Sequence, residues 1–454
     1  MPDTIAAVAT GGQAAAIGII RQSGKSAISA ADSIFRAAAG ITLEQAEDRH
    51  MYYGELRDAE GRLMDMCLSF VSRAQHSYTG EDTVEFHCHG SQIVLSEVMD
   101  QLRNHGVRQA GPGEFTKRAF LNGKMDLTQA EAVIDLIEAD TAAAARNAAG
   151  QLAGAIAVQL SAVYNSLLDV MAHFHAVLDY PDEDIDEFEM QSHVKALAEA
   201  REALINMHST HERGKVLRDG IPAVITGRPN TGKSSLLNAL LGFKRAIVTD
   251  SPGTTRDTIE EKIALGGIVL RLIDTAGIRK TNDAAEMIGV ERTYDALCRA
   301  GIVIVVLDGS QPLSAEDMEL LQSLPKDIPT LAAVNKSDLP RLIDTDALKN
   351  ISFCHVSALT GDGLRELETE IKKLAKEPAE KPAGQLITNM RQADAIKRAI
   401  DSISLSLEAI DTSMTPDAVL VDIEEALAAI GEVTGKTMRE DITDRIFERF
   451  CVGK

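Results

Sequence analysis

Apolar positions change texture three times along this chain. Up to about residue 118, β-rich runs ("IAAVAT", "AIGIIR", "MCLSFVS", "TVEFHCH") mix with helical ones such as "SQIVLSEVMDQLRNHG", which predicts a small α+β domain. From about residue 125 the period becomes helical. Leu152, Ile156, Leu160, Val163, Leu167, Met171, Phe174 and Leu178 recur every three or four positions, one apolar stripe on a long helix. A second stripe runs through Ile396, Ile400, Ile403, Leu407 and Ile410, and the economical arrangement packs the two stripes together in one bundle. Between them, "PAVITG", "IVLRLIDTAG", "IVIVVLDGS", "TLAAVNKSD" and "FCHVSAL" alternate with helical segments, the pattern of a parallel-sheet α/β domain.

That α/β texture is bordered by "ERGKVLRDGIP" (212–222) and "KEPAEKPAGQ" (376–385), both linker-like. The expected organisation is therefore an α+β multidomain chain. An N-terminal domain spans 1–118, a helical domain is split into 119–215 and 379–454, and an α/β domain at 216–378 is inserted into it. The acidic "DYPDEDIDEFE" (179–189) carries seven acids in eleven residues and reads as a solvated interhelical loop, without metal-ligand spacing.

Composition narrows the setting. A chain of 454 residues is long enough for two to four domains. A net charge of −22 argues against broad attraction to nucleic acid or anionic membranes, while leaving room for local basic patches. Cys67, Cys88, Cys298, Cys354 and Cys451 are scattered and odd in number, which points away from a disulfide framework and towards the reducing cytoplasm. The N-terminal "MPDTIAAVATGGQAAAIGIIR" lacks a basic leader and is broken by glycines, so it reads as strands; no apolar run is expected to span a membrane.

The chemistry concentrates in the α/β segment. "GRPNTGKSS" (227–235) follows a predicted strand and opens a helix, the context that a P-loop requires. Asn230, Thr231, Gly232, Lys233, Ser234 and Ser235 would surround the phosphates, with Lys233 on the β/γ oxygens and the Ser234 hydroxyl on Mg²⁺. The near-matches "GIIRQSGKS" (18–26) and "GEVTGKT" (431–437) have the wrong glycine spacing. "NKSD" (335–338) supplies base specificity: Asp338 accepts from guanine N1–H and its amine, Asn335 braces the loop, and the Lys336 stem packs on the base, beside Ser337. Adenine has neither donor. "SAL" (Ser357, Ala358, Leu359) sits where a third base loop belongs, and the ligand is GTP.

"DTAG" (Asp274, Thr275, Ala276, Gly277) resembles the metal and γ-phosphate loop of a GTPase, yet Ile278 stands where Ras-like enzymes carry a water-orienting Gln. "GTTRD" (253–257) resembles a first switch, with Thr255 as the second Mg²⁺ hydroxyl. Asp283 and Glu286 are candidates for the missing base, and Arg256 and Arg279 for an arginine finger.

Together the P-loop, "IVTDSPGTTRD", "DTAGIR…EMIGVERT", "GEDTVEFHCHG", "GPGEFTKRAFLNGKMDLTQAEAVIDLI" and the terminal "FCVGK" resemble the bacterial tRNA-modification GTPase family MnmE (TrmE) along the whole chain. The resemblance implies a folate-binding N-terminal domain that forms the homodimer, a discontinuous helical domain and a Ras-like G domain. It implies K⁺-dependent hydrolysis when two G domains meet, with K⁺ on Asn230, Thr249, Ser251 and Thr254. The loop from Thr249 through Asp250, Ser251, Pro252, Gly253 and Thr254 to Thr255 would line the nucleotide, and Glu286 would orient the water. It also implies that, with the flavoprotein MnmG (GidA) in a heterotetramer carrying the FAD, C5 of the tRNA wobble uridine receives a carboxymethylaminomethyl group. The carbon would come from a 5-formyl or methylene tetrahydrofolate, held by Arg21, Glu85, Lys124 and Lys454. Cys451 reads equally as a reactive thiol near that carbon or as a small buried hydrophobe, and "HCHG" (87–90) reads as structural. The competing reading is a regulatory GTPase of ribosome assembly, which would have no use for folate.

Overall fold

Burial alternates along Ala15–Ser23: Ile20 and Gln22 are enclosed while Ile17 stays exposed, as a strand with one face inward requires. The computed structural model describes residues 3–11, 13–179, 187–243, 261–265, 267–273, 300–349, 351–375, 384–437, 440–448 and 450–453. They fall into two units, one made of Met1–Ile134, Gln151–Ala200 and Arg398–Lys454, the other of Asp135–Gly150 and Arg201–Lys397.

The first unit holds a seven-stranded sheet. Its strands are β1 (Ile5–Val8), β2 (Ala15–Ser23), β3 (Phe35–Ala37), β4 (Met51–Arg57), β5 (Leu63–Ser72), β6 (Thr83–Gly90) and β7 (Arg108–Gln109), in the order β3-β4-β5-β6-β2-β1-β7. Neighbours are antiparallel except β1 and β7, which run parallel. Helices α1 (Ala27–Ile34) and α2 (Gln92–Asn104) close one face over Leu56, Val84 and Phe86. The other face presents Ile17, Met51, Tyr53 and Leu68 to solvent. Strands β3, β4 and β7 are absent from the sequence reading; β4, "MYYGELR", hides its alternation because its outward positions are apolar.

Helices α3 (Glu114–Leu121), α4 (Leu127–Ile137), α5 (Ala142–Leu152), α6 (Ala155–Asp179) and α7 (Glu187–His208) follow. The first long stripe is divided: Gly154, at φ 91°, separates α5 from α6, so Leu152 ends one helix and Ile156 begins the next. On α6, Ile156, Leu160, Val163, Leu167, Val170 and Phe174 are buried, each contributing about 1.5–3 kcal/mol by leaving water. Its main partner is not the second stripe but α13 (Pro416–Thr434), whose Val419, Ile423, Ala426 and Ile430 are buried. The second stripe lies on α12 (Met390–Asp411). The expectation that no apolar run reaches membrane-spanning length also needs correction. Ala155–Leu178 is long and apolar enough by composition, at mean hydropathy 1.3, and its inner face is the bundle interior just described. In the same unit α14 (Glu440–Phe447) packs Phe447, with Phe450, on Phe120, Leu127 and Val133.

In the second unit, α8 (His211–Asp219) occupies most of the stretch expected to be a linker. The glycine within it, Gly214, lets the helix lie against residue 387, where a Cβ would stand 2.0 Å from the Ile387 carbonyl oxygen. Gly220, at φ 83°, then turns the chain into β8 (Ile221–Thr226). After α9 (Lys233–Phe243), β9 (Glu261–Leu265), β10 (Ile268–Leu272), β11 (Ile302–Asp308), α10 (Ala315–Ser323), β12 (Thr330–Asn335), β13 (Ser352–His355) and α11 (Leu364–Leu374), the sheet order is β13-β12-β11-β8-β10-β9. Four adjacent pairings are parallel and β9 is an antiparallel edge. Every residue of β11 is buried, with Ile304 and Val306 facing α9 and α11, and Val303, Val305 and Leu307 facing α10. A doubly covered sheet places the loops at the carboxyl ends of its strands side by side, where a ligand is held.

Candidate nucleotide-binding and active site

The loop between β8 and α9 has the backbone of an anion cradle. Gly227 (φ 145°) and Gly232 (φ 96°) are in conformations that strain an L side chain, and Asn230 at φ 64° joins them in the left-handed region. The close approach is literal: a Cβ on Gly232 would lie 2.1 Å from Nδ2 of Asn335. Lys233 folds back along the loop, donating from Nζ to the Gly227 and Arg228 carbonyls, both at 2.7 Å. Burial pushes its ammonium below the ordinary lysine value, so an incoming polyphosphate meets a cation with little water to lose. Ser234 and Ser235 are exposed on the first turn of α9, among the free N–H groups of a helix N-terminus.

The base loop is locked to this cradle by one side chain. Buried Asn335 donates from Nδ2 to the Thr231 carbonyl at 2.8 Å, and its Oδ1 accepts from the Ala358 N–H at 3.0 Å. The Ser357 hydroxyl donates to Oδ1 of Asp338 at 2.6 Å, and the Ser337 N–H donates to the Val356 carbonyl at 3.0 Å. Asp338 is itself exposed, so its carboxylate is oriented from behind and open in front. Leu359 is 85% exposed on the same loop.

Two acids that the motif reading passed over hold two cations of the site. Lys336, at φ 65°, donates from Nζ to Oδ2 of Asp308 at 2.5 Å. Arg228 donates from Nε to Oδ1 of Asp317 at 2.7 Å. Asp308 merely ends an apolar strand in the sequence, and Asp317 stands in "SAED", readable only as a capping box. Thr249, Asp250, Ser251, Pro252, Gly253, Thr254, Thr255, Asp274, Thr275, Ala276, Gly277 and Glu286 lie outside the described residues, as does Lys454.

The first unit carries a separate constellation. The Arg21 guanidinium meets Glu85 at 2.6 Å and lies 5.8 Å from the ring centroids of both Tyr78 and Phe115. The Tyr78 hydroxyl is 3.0 Å from that of Thr116, and burial pushes its phenol above the ordinary value. Lys124 grips the loop that carries Tyr78, donating to the Gln75 carbonyl at 2.8 Å. Beneath it, fully buried Arg118 meets Asp3, Glu81 and Glu114 at 2.9–3.0 Å. The sequence reading missed these aromatic walls because nothing in their spacing marks them. His87 faces Glu85 and His89 faces Asp65; no cluster of three metal-binding side chains occurs among the described residues. Cys451 is exposed rather than buried, and its carbonyl accepts from the Gly113 N–H at 3.2 Å.

The profile described as "MnmE helical domain" matches residues 127–451, and "GTP-binding protein TrmE N-terminus" matches 4–124. A protein of Clostridioides difficile named tRNA modification GTPase MnmE is 41% identical over 100% of this chain and 99% of its own. The one from Natranaerobius thermophilus is 42% identical with the same coverage. Among solved structures, the G domain of the T. maritima FeoB iron transporter is 28% identical over 34% of this chain and 99% of that one, at TM-score 0.27. With both terminal regions and the full-length relatives agreeing, the chain belongs to the MnmE (TrmE) family.

Proposed function

We propose that this chain hydrolyses GTP and couples that reaction to the modification of tRNA wobble uridine. The observation that carries the reading is Asn335, which joins the phosphate loop at Thr231 to the base loop at Ala358. Such a joint fixes the two loops relative to each other, as a ligand that spans both requires. Asp338, steadied by Ser357, suits the two donors of guanine, and Lys233 suits the triphosphate. The full-length likeness to proteins named tRNA modification GTPase supplies the second half of the reading.

Mg²⁺ would sit on the Ser234 and Thr255 hydroxyls and polarise the phosphates; the exposed first turn of α9 leaves the Ser234 side open to it. K⁺ would sit on Asn230, Thr249, Ser251 and Thr254 and supply positive charge beside the β/γ bridge. Asn230 holds the left-handed conformation that shapes the cradle at that point. Glu286 orients the attacking water after two G domains meet. The exposed apolar sheet face of Ile17, Met51, Tyr53 and Leu68 suits a homodimer formed through the N-terminal domain. The functional division follows 1–118, 119–215, 216–378 and 379–454.

Tetrahydrofolate would bind at Arg21, Glu85, Lys124 and Lys454 and supply the one-carbon unit. The Arg21–Glu85 pair between Tyr78 and Phe115 fits a flat heterocycle with a hydrogen-bonding edge. Exposed Cys451 is free for chemistry there, and MnmG completes a heterotetramer with its FAD. Four free thiols among the described residues suit the cytoplasm.

The experiment is nucleoside mass spectrometry of tRNA from cells with and without the gene. Carboxymethylaminomethyl-type wobble uridines are expected to vanish and to return with the wild type but not with Asp338→Asn. Unchanged uridines would move the function to an assembly switch.

A further inference from the structure

Six residues, 309–314, join β11 to α10, and the ten-residue stretch 308–317 that contains them reaches into the nucleotide site at both ends. At its start Asp308 is buried; Oδ2 takes the Lys336 ammonium, and Oδ1 accepts from the Ser310 N–H (3.0 Å) and hydroxyl (2.6 Å). At its end Asp317 is 2% exposed; Oδ2 accepts from the Ser314 N–H and hydroxyl, both at 3.0 Å, and Oδ1 takes Arg228. In between, the Gly309 N–H donates to the Asn335 carbonyl at 2.8 Å, and Gly309 carries no side chain where a Cβ would lie 2.9 Å from that oxygen.

Each carboxylate thus uses one oxygen on its own turn and the other on a distant cation. Capping α10 requires only the Ser314 contacts. The bond to Arg228 spans 89 residues and fixes a different group: the Arg228 carbonyl, which accepts from Lys233 Nζ at 2.7 Å and from the Thr231 hydroxyl at 2.9 Å. A buried carboxylate that leaves its partner unpaired carries a large penalty, so both cations are held in one place.

We propose that the 308–317 connection is a positioning brace for the nucleotide site, with Asp308 setting Lys336 at the base end and Asp317 setting Arg228 at the phosphate end. The brace deepens the GTPase reading and rests on it. Neither acid touches the nucleotide; each acts through the cation it holds. The stretch makes base and phosphate contacts rigid with respect to each other, so that GTP meets both already aligned.

The test uses the full-length protein, GTP and GDP with Mg²⁺, equilibrium dissociation constants, and thermal midpoints of the nucleotide-free variants. Asp317→Asn keeps an acceptor for Ser314 but cannot receive Arg228; Asp308→Asn does the same for Ser310 and Lys336. Each is expected to weaken GTP binding about tenfold or more, with a lowered midpoint that the loss of its ion pair accounts for and that the matching Met variant shows as well. In an Arg228→Met background Asp317→Asn should add less than about twofold, and likewise Asp308→Asn in a Lys336→Met background. Asp308→Glu and Asp317→Glu, which retain the charge, should recover part of the affinity. Affinity equal to wild type in the two Asn variants, or losses that persist in full when the cations are already gone, would overturn the brace alone. If an Asn variant fails to fold, the Glu variant of that position and Arg228→Met decide: wild-type affinity in Arg228→Met overturns the phosphate end, and a Glu variant no better than tenfold weakened overturns its own end. No GTP binding by the wild type would overturn the GTPase reading together with the brace.

Discussion

Asn335 donates to the carbonyl of Thr231 at 2.8 Å across 104 positions of sequence, both residues being almost wholly enclosed. Replacing Asn335 by Ala leaves that carbonyl and the Ala358 N–H without partners. A buried carbonyl and a half-buried N–H lose their bonds, at about 1–3 kcal/mol each. Chemical denaturation of Asn335→Ala should show a loss of about 2–5 kcal/mol in the nucleotide-free protein. A loss under about 0.5 kcal/mol would mean that the joint contributes little.

Base selectivity should follow Asp338. Asp338→Asn presents an amide donor to the guanine amine, so GTP affinity should fall roughly 100-fold or more, while xanthosine triphosphate, with a carbonyl there, should gain. Competition binding with the two nucleotides reads the exchange. A variant that keeps its preference for GTP would place recognition of the base elsewhere.

Gly214→Ala sets two effects against each other. In an open helix Ala is favoured over Gly by about 1 kcal/mol. Here the added carbon would stand 2.0 Å from the Ile387 carbonyl oxygen, a backbone atom. Overpacking costs about 1–3 kcal/mol and should win, so the thermal midpoint should fall. A rise would show that residue 387 yields easily.

Burial raises the Tyr78 phenol above the ordinary tyrosine value of about 10. A proton held more tightly in the folded state gives stability that is full below that value and is lost as pH climbs through the folded one. Ultraviolet titration should show a late-ionising tyrosine that Tyr78→Phe removes. If Tyr78→Phe instead removes a tyrosine that ionises in the ordinary range, the hydroxyl is open to water.

At the Arg21–Glu85 pair, Glu85→Gln removes the charge while keeping the shape. Binding of 5-formyltetrahydrofolate, followed by fluorescence or calorimetry, should weaken about tenfold or more. GTP hydrolysis measured in K⁺ should persist in the same variant, since Glu85 lies in the other unit. Equal folate affinity in wild type and variant would remove Glu85 from the pocket.

Legibility followed the range of each interaction. "GRPNTGKSS" and "NKSD" were readable because their pattern is carried by consecutive residues; the first lies between β8 and α9 with Gly227 and Gly232 at positive φ, and the second begins at the end of β12. Asp308 and Asp317 were not, because their partners lie 28 and 89 positions away and nothing local marks an acid as a partner. The 212–222 stretch was mistaken for a linker because Gly214 and Gly220 outweighed the helix formers around them; the first of these glycines serves packing, not flexibility. The long stripe ran past Gly154 since periodicity is blind to a single left-handed residue. The pairing of α6 with α13 rather than α12 is a choice among apolar faces, which a one-dimensional pattern does not rank.

Val452 pairs with Pro112, and Gly453 lies where a Cβ would stand 2.6 Å from the Val8 carbonyl oxygen. The first unit is thus closed by chain from 398–454 meeting chain from 1–134. During synthesis its β-sheet emerges from the ribosome early, but its bundle must wait while the whole nucleotide-binding stretch is translated. The first unit therefore spends that interval with α13 and α14 unmade, and the apolar surfaces they later cover, on α6 and around Phe120, Leu127 and Val133, are the parts a chaperone meets first.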